Sequence, residues 1–196
     1  EIIEQWPDDI WTIPDPQTPT GLRISVTDAA WSLALNDVFA TLVPHLEGIS
    51  GFHTQGHVMF SFSRPLGEVP SGVAESLETS ALQLLDLSTS PPTRVPYETK
   101  LEDFGHILLV LPLRPLKQGT EYALIATTDL QAEDGGCIAP SAPLKAYLDG
   151  SSEDWIADRY QEVLEETGIE PGQISAATVW TTHEDSDGFL DAVTVA

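Results

Sequence analysis

The sequence predicts a mainly β domain, a sandwich of about seven short strands with one α-helix and an extended N-terminal arm. Three observations predict it. Short apolar runs, alternating or unbroken, recur along the chain. Fifteen prolines and 14 glycines fall between those runs as turn signals. One later stretch combines helical periodicity with start and stop signals. A chain of 196 residues suits one large domain or one with an elaborated edge.

The first 20 residues are rich in Pro and Asp, reading Trp6-Pro7-Asp8-Asp9 and then Ile13-Pro14-Asp15-Pro16. Prolines at this density forbid helix and disfavour a central strand, so residues 1–20 form an extended arm. Trp6, Trp11 and Ile13 give the arm apolar surface to bury, and it is expected to lie against the body or a partner. Trp6, Asp8, Asp9, Trp11 and Asp15 are its candidate partner-binding residues, because aromatic anchors among polar groups are typical of interface centres. A tryptophan filling the core of its own domain is the equal alternative.

Strand texture follows at residues 22–26, 57–63, 82–87, 93–97, 106–111, 121–127 and 176–181. The clearest is 57–63, where Val58, Phe60 and Phe62 alternate with His57, Met59 and Ser61 and place three large apolar side chains on one face. Residues 107–111 are apolar without a break, the pattern of a central strand covered on both sides. Turn signals with a mechanism separate the runs at Arg64-Pro65-Leu66-Gly67, Lys117-Gln118-Gly119-Thr120 and Glu133-Asp134-Gly135-Gly136. Between residues 28 and 51, Trp31, Leu35, Phe39 and Leu42 are spaced for a short helix ending before Pro44.

The well-signalled helix spans about residues 152–167. Ser151 and Asp154 make a capping box, Glu153 adds negative charge to the first turn, and Gly168 ends the run. Ile156, Tyr160, Val163 and Leu164 form the apolar stripe that packs it on the body, at one edge of the sandwich. The organisation expected is an arm at 1–20, a sandwich body at 21–182 and an acidic linker at 183–196.

Only eight Lys and Arg stand against 31 Asp and Glu, a formal charge of −23. Such a surface repels phosphate backbones and anionic lipid, which argues against nucleic-acid binding. It fits an exported or salt-exposed protein, with cation binding the minority reading. No stretch approaches the ~20 apolar residues that cross a bilayer, so no membrane insertion is expected. Residues 1–7 lack the pattern of a signal peptide, as an exported chain would after processing. The one cysteine, Cys137, lies in a glycine-rich turn without a neighbouring His and reads as an incidental thiol.

No catalytic motif appears. The nearest approach to a nucleophile elbow is Gly48-Ile49-Ser50-Gly51-Phe52, where Phe52 replaces the second glycine and a turn is the better reading. His53 and His57 share the spacing of two metal ligands on a helix, yet Gly56 and the strand that follows make them a turn and an outward strand histidine. The segment His183-Glu184-Asp185-Ser186-Asp187-Gly188 resembles part of a calcium loop, with Asp185 and Asp187 as its candidate ligands. A full loop would carry acids in place of His183 and Thr194, so an acidic linker is favoured. No cofactor is expected, and calcium is the one candidate ion.

Several segments in order carry a family resemblance: Trp6-Pro7-Asp8-Asp9, Thr20-Gly21-Leu22-Arg23, Gly51-Phe52, Phe62-Ser63-Arg64-Pro65-Leu66, Leu113-Arg114-Pro115-Leu116, Gly119-Thr120-Glu121-Tyr122, Asp134-Gly135 and Val179-Trp180-Thr181-Thr182. Together they resemble the N-terminal β-rich region of bacterial extracellular lipases of the virulence-factor type, and bacterial immunoglobulin-like modules more generally. The resemblance implies an immunoglobulin-like sandwich that precedes a separate hydrolase domain holding the nucleophile, and it carries no catalytic residue onto this chain.

The functional expectation is a non-catalytic accessory or scaffolding domain of a secreted or surface-exposed lipase-like hydrolase. Its partner is then a hydrolase domain or a neighbouring subunit. The alternative is a structural subunit of an extracellular assembly, self-associating through strand donation by the arm. A hydrolase using dispersed Ser, His and Asp residues is a third, weaker reading.

Overall fold

The computed structural model describes residues 5–25 and 48–184. Two four-stranded antiparallel sheets face each other. The first has the order β1 (Gln5–Trp6), β4 (Val58–Ser61), β8 (Ile107–Pro112), β7 (Tyr97–Glu102). The second has the order β10 (Ile174–Thr181), β9 (Glu121–Thr127), β5 (Leu82–Asp86), β6 (Thr93–Arg94). A small hairpin of β2 (Thr12–Pro14) and β3 (Leu22–Ile24) stands beside them. With that hairpin set aside and the strands lettered A, B, C, C′, D, E, F, G in chain order, the sheets read A-B-E-D and G-F-C-C′. This is the strand order of the immunoglobulin sandwich. The fold class expected from the sequence is therefore the one found, with ten strands among the described residues rather than about seven.

The main core lies between the sheets. Val58, Phe60, Leu108, Val110 and Tyr97 from the first meet Leu82, Leu84, Tyr122, Leu124 and Trp180 from the second, all at most 1% exposed. Val58 and Phe60 are buried and Met59 is not, as the alternation in this strand requires. Tyr122 stacks on Trp180 with ring centroids 5.9 Å apart, and the Tyr97 hydroxyl donates to the Leu82 carbonyl at 2.7 Å.

A second core forms on the far side of the β10-β9-β5 sheet. Three helices are described: α1 (Val73–Glu78), α2 (Ala142–Leu148) and α3 (Trp155–Thr167). The last two pack Leu144, Tyr147, Ile156, Tyr160, Val163 and Leu164 against Leu85, Ala123, Ile125, Ala177 and Val179. The molecule therefore has three layers, sheet, sheet and helices, and α3 covers a sheet face rather than an edge. The stripe on α3 is the expected one, and Gly168 closes the helix in the left-handed conformation at φ 67°. Its start differs from expectation. Asp154 is the N-cap, Ser152 Oγ accepts from the Asp154 N–H at 3.2 Å, and the helix begins at Trp155. The expected capping box does not form because Asp149 Oδ1 accepts the Ser151 N–H and holds that residue in the preceding turn.

The doubly covered strand is β9, in which every residue from Tyr122 to Thr127 is buried. The sequence assigned that role to residues 107–111. In β8 Leu108 and Val110 are buried, while Ile107 and Leu109 are half-buried and Leu111 is exposed. Helices α2 and α3 arise between β9 and β10, so they return onto the sheet that holds those two strands rather than onto the sheet that holds β8.

The arm belongs to the sandwich. β1 extends the first sheet by pairing with β4, Gln5 opposite Phe60 and Trp6 opposite Met59. The expected boundary between residues 20 and 21 falls inside the β2–β3 hairpin, whose register joins Thr12 to Ile24 and Pro14 to Leu22. At the other end, the first residue of the expected linker, His183, donates its N–H to the Phe52 carbonyl at 2.7 Å. The helix expected from Trp31, Leu35, Phe39 and Leu42 lies outside the described residues.

Candidate functional site

A buried polar cluster lies where the Trp6-Pro7-Asp8-Asp9 turn meets the outer edge of β10. An edge strand in an antiparallel sheet points alternate N–H groups away from its neighbour, and those donors need acceptors. The arm supplies carboxylates. Asp9 Oδ1 accepts the Thr181 N–H at 3.0 Å. The Thr178 hydroxyl donates to the Pro7 carbonyl. The Asp9 side chain thus does the work of a neighbouring strand's carbonyl.

Local geometry sets the two acids in place. Asp8 caps a 3-10 turn, Asp9–Trp11, by accepting the Ile10 N–H at 2.9 Å, and the Thr12 hydroxyl donates to the Asp9 carbonyl at 2.7 Å. Trp6 meets Phe52 edge to face at 5.0 Å, and both Trp6 and Trp11 pack against the main core. Helix α3 closes the cluster from the opposite side. Tyr160 donates its hydroxyl to Asp8 Oδ2 at 2.5 Å, and Arg159 Nη2 lies 3.0 Å from Asp9 Oδ2 and 2.8 Å from Glu121 Oε1. The Thr181 hydroxyl donates to Asp9 Oδ2 at 2.9 Å and accepts from Arg159 at 3.0 Å.

Asp8 and Asp9 are both 0% exposed. Burial pushes the Asp9 carboxyl from 3.8 up to about 7, against the opposing pull of Arg159 and the two Thr181 hydrogen bonds. Arg159 also pairs with Glu121, whose pKa burial likewise raises. Asp8 is raised by burial too, opposed by its hydrogen bonds from Tyr160 and Ile10. The Tyr160 hydroxyl is pushed well above its usual value by its own burial and by the adjacent Asp8. The acids are enclosed within the chain, and the cluster fastens the arm, the last strand and the helical layer to one another.

This corrects the partner-binding assignment for Asp8 and Asp9, whose carboxyls are buried within the domain, Asp8 accepting from Ile10 and Tyr160 and Asp9 from Thr181 and Arg159. Asp15 is also engaged internally, pairing with Arg23 at 3.2 Å across the β2–β3 hairpin and accepting the Gln17 N–H at 3.0 Å. Sequence reasoning placed Tyr160 only in an apolar stripe and Thr181 only in a strand and a family motif, and did not single out Arg159. The available signal was the pairing of two adjacent acids in the arm with one of only eight cations in the chain.

The other sequence candidates resolve individually. Ser50 is buried, and Gly51 lies so close to β10 that a Cβ there would stand 2.6 Å from the Thr181 carbonyl oxygen. The elbow-like segment is thus a backbone junction, with the Phe52 N–H donating to Thr181 at 2.8 Å. His53 and His57 are exposed, and the His53 ring covers Gly56. Cys137 is exposed, in a turn where Arg64 pairs with Asp134. Asp185 and Asp187 lie outside the described residues. Among the described residues no group of three or more His, Cys, Asp or Glu side chains is placed to hold a metal, and no helix is long and apolar enough to cross a membrane.

No family model and no curated protein matches the chain. Among solved structures, the chain is similar to a crystal structure of the S-layer protein rSbsC, at 11% sequence identity and a TM-score of 0.33, over 53% of this chain and 16% of that one. The chain thus spans well under two thirds of that structure's length.

Proposed function

We propose that the chain is a non-catalytic accessory module of a secreted or surface-exposed protein. It holds a neighbouring domain or protein in place, a lipase-like hydrolase being the partner that its motifs imply. The observation that carries this reading is the use of Asp8, Asp9, Arg159 and Tyr160 inside the domain, where they tie arm, β10 and α3 into one unit. The most distinctive charged residues of the arm thus serve rigidity rather than chemistry, as suits a spacer that transmits position. The acid surplus, 31 against eight, supports a solvated surface on an exported protein. Assembly by strand donation is the weaker reading, because β1 already occupies the edge of β4 within its own chain.

Light scattering after size separation, across a concentration series and with residues 1–20 present or deleted, tests the proposal together with a short-chain ester assay. The full chain is expected to be monomeric at every concentration and to leave p-nitrophenyl butyrate unhydrolysed. Deleting the arm is expected to lower Tm. Oligomers that vanish with the arm would replace the reading with a self-assembling subunit, and saturable ester turnover would replace it with an enzyme.

A further inference from the structure

One sheet face is covered by α2 and α3, whereas on the outer face of the other Met59, Ile107 and Leu109 are half-buried and Leu111 is exposed. Alternation along β8 turns Leu108 and Val110 into the core and Ile107, Leu109 and Leu111 outward. Met59 on β4 stands beside Leu109 in register. The stripe continues past the end of β8, with Leu111 37% and Leu113 39% exposed.

At its other end the turn between β7 and β8 presents Phe104 at 96% exposure. Asp103 and Phe104 both adopt positive φ, 48° and 55°. Positive φ at these positions is what a tight hairpin tip requires, and a bulky side chain such as Phe104 is uncommon there. The turn is also pinned from both sides. The His106 N–H donates to the Asp103 carbonyl at 3.1 Å, and the Leu66 N–H to the Gly105 carbonyl at 2.9 Å. The backbone of the tip is therefore anchored, and the Phe104 ring it carries lies almost wholly in solvent at the Ile107 end of β8.

Charge narrows the occupant. Along β7, Glu98, Lys100 and Glu102 stand opposite Leu111, Leu109 and Ile107. Lys100 pairs with Glu102, so with Asp103 this rim holds three carboxylates to one ammonium; Arg114 lies at the far end. A second copy of a chain with net charge −23 would meet long-range repulsion at this face. We infer that the outer face of β8, from Phe104 to Leu113, is the docking surface for a partner protein presenting an apolar face flanked by lysine or arginine. This rests on the accessory-module reading and names the surface through which it acts.

The test uses the full chain and an 18-residue amphipathic helical peptide of leucine and lysine, with a scrambled peptide of the same composition that has no apolar face. Affinity is measured by calorimetry and the contact is mapped by methyl NMR. The helical peptide is expected to perturb Ile107, Leu109 and Leu111. Phe104→Gly and Leu111→Asp should each weaken binding by roughly tenfold, the loss typical of an interface anchor. Phe104→Gly suits the positive φ, so its Tm should hold or rise, which separates lost docking from lost folding. Perturbations scattered over the acidic surface, equal affinity for the scrambled peptide, or binding indifferent to Phe104→Gly would each overturn the assignment. Those results would leave the accessory-module reading standing, since that falls on ester turnover or arm-dependent oligomers.

Discussion

Replacing Asp9 by Asn should change how stability depends on pH more than it changes the fold. In the native protein Asp9 faces Arg159 from α3, Thr181 from β10, Glu121 on β9 and the adjacent Asp8, with Tyr160 and its stacking partner Tyr147 beyond. Its carboxyl titrates at about 7 when folded and at 3.8 in the reference state. The folded state therefore holds a proton that the unfolded state has released, and this contribution is fully present below about pH 4 and lost as pH rises to about 7. At ~1.4 kcal/mol per pKa unit, a rise of about three units corresponds to about 4 kcal/mol. Asn keeps one acceptor for the Thr181 N–H and cannot titrate. The stability of the native protein relative to Asp9→Asn, from urea unfolding at a series of pH values, should therefore fall by about 4 kcal/mol between about pH 4 and pH 8. A difference that stays constant or grows with pH would mean that Arg159 keeps Asp9 ionised throughout, and would refute the conclusion that burial dominates.

Tyr160→Phe should keep the 5.5 Å stack on Tyr147 and remove the donor to Asp8 Oδ2, costing about 1–3 kcal/mol in urea unfolding; an unchanged midpoint would mean that Asp8 does not depend on it. Gly51→Ala places a Cβ 2.6 Å from the Thr181 carbonyl oxygen and should cost about 1–3 kcal/mol by overpacking. Gly172→Ala, where a Cβ meets nothing within 4 Å, is its control, and equal thermal shifts for the two would contradict the close approach of residues 51 and 181.

Much of the fold was legible because strand alternation and turn chemistry are local. Glu121–Thr127 appears with the bounds read from its apolar run, and the 57–63 reading matches the buried Val58 and Phe60. Elements whose local signal is weak went unread. β7 alternates Tyr97, Thr99 and Leu101 with Glu98, Lys100 and Glu102, and only its first residue was assigned to a strand. β1 is two residues long and exists through its pairing with β4. α1 and α2 span six and seven residues, too short for periodicity to distinguish from a turn.

The candidate site was half legible. The cluster of Trp and Asp in the arm marked the right segment, yet the direction of its contacts could not be read there, because Arg159 and Thr181 lie about 150 and 170 residues further on. The sequence by itself determined the β class, the late helix with its apolar stripe, the acidity and the unusual arm, since each follows from residue type and short-range spacing. Only the tertiary structure decided that the arm's acids face inward, that β9 rather than β8 is covered on both sides, and that Phe104 is left in solvent. Those outcomes depend on which strand edge lacks a neighbour and on which face the helices return to, and strand pairing across long stretches of chain sets both.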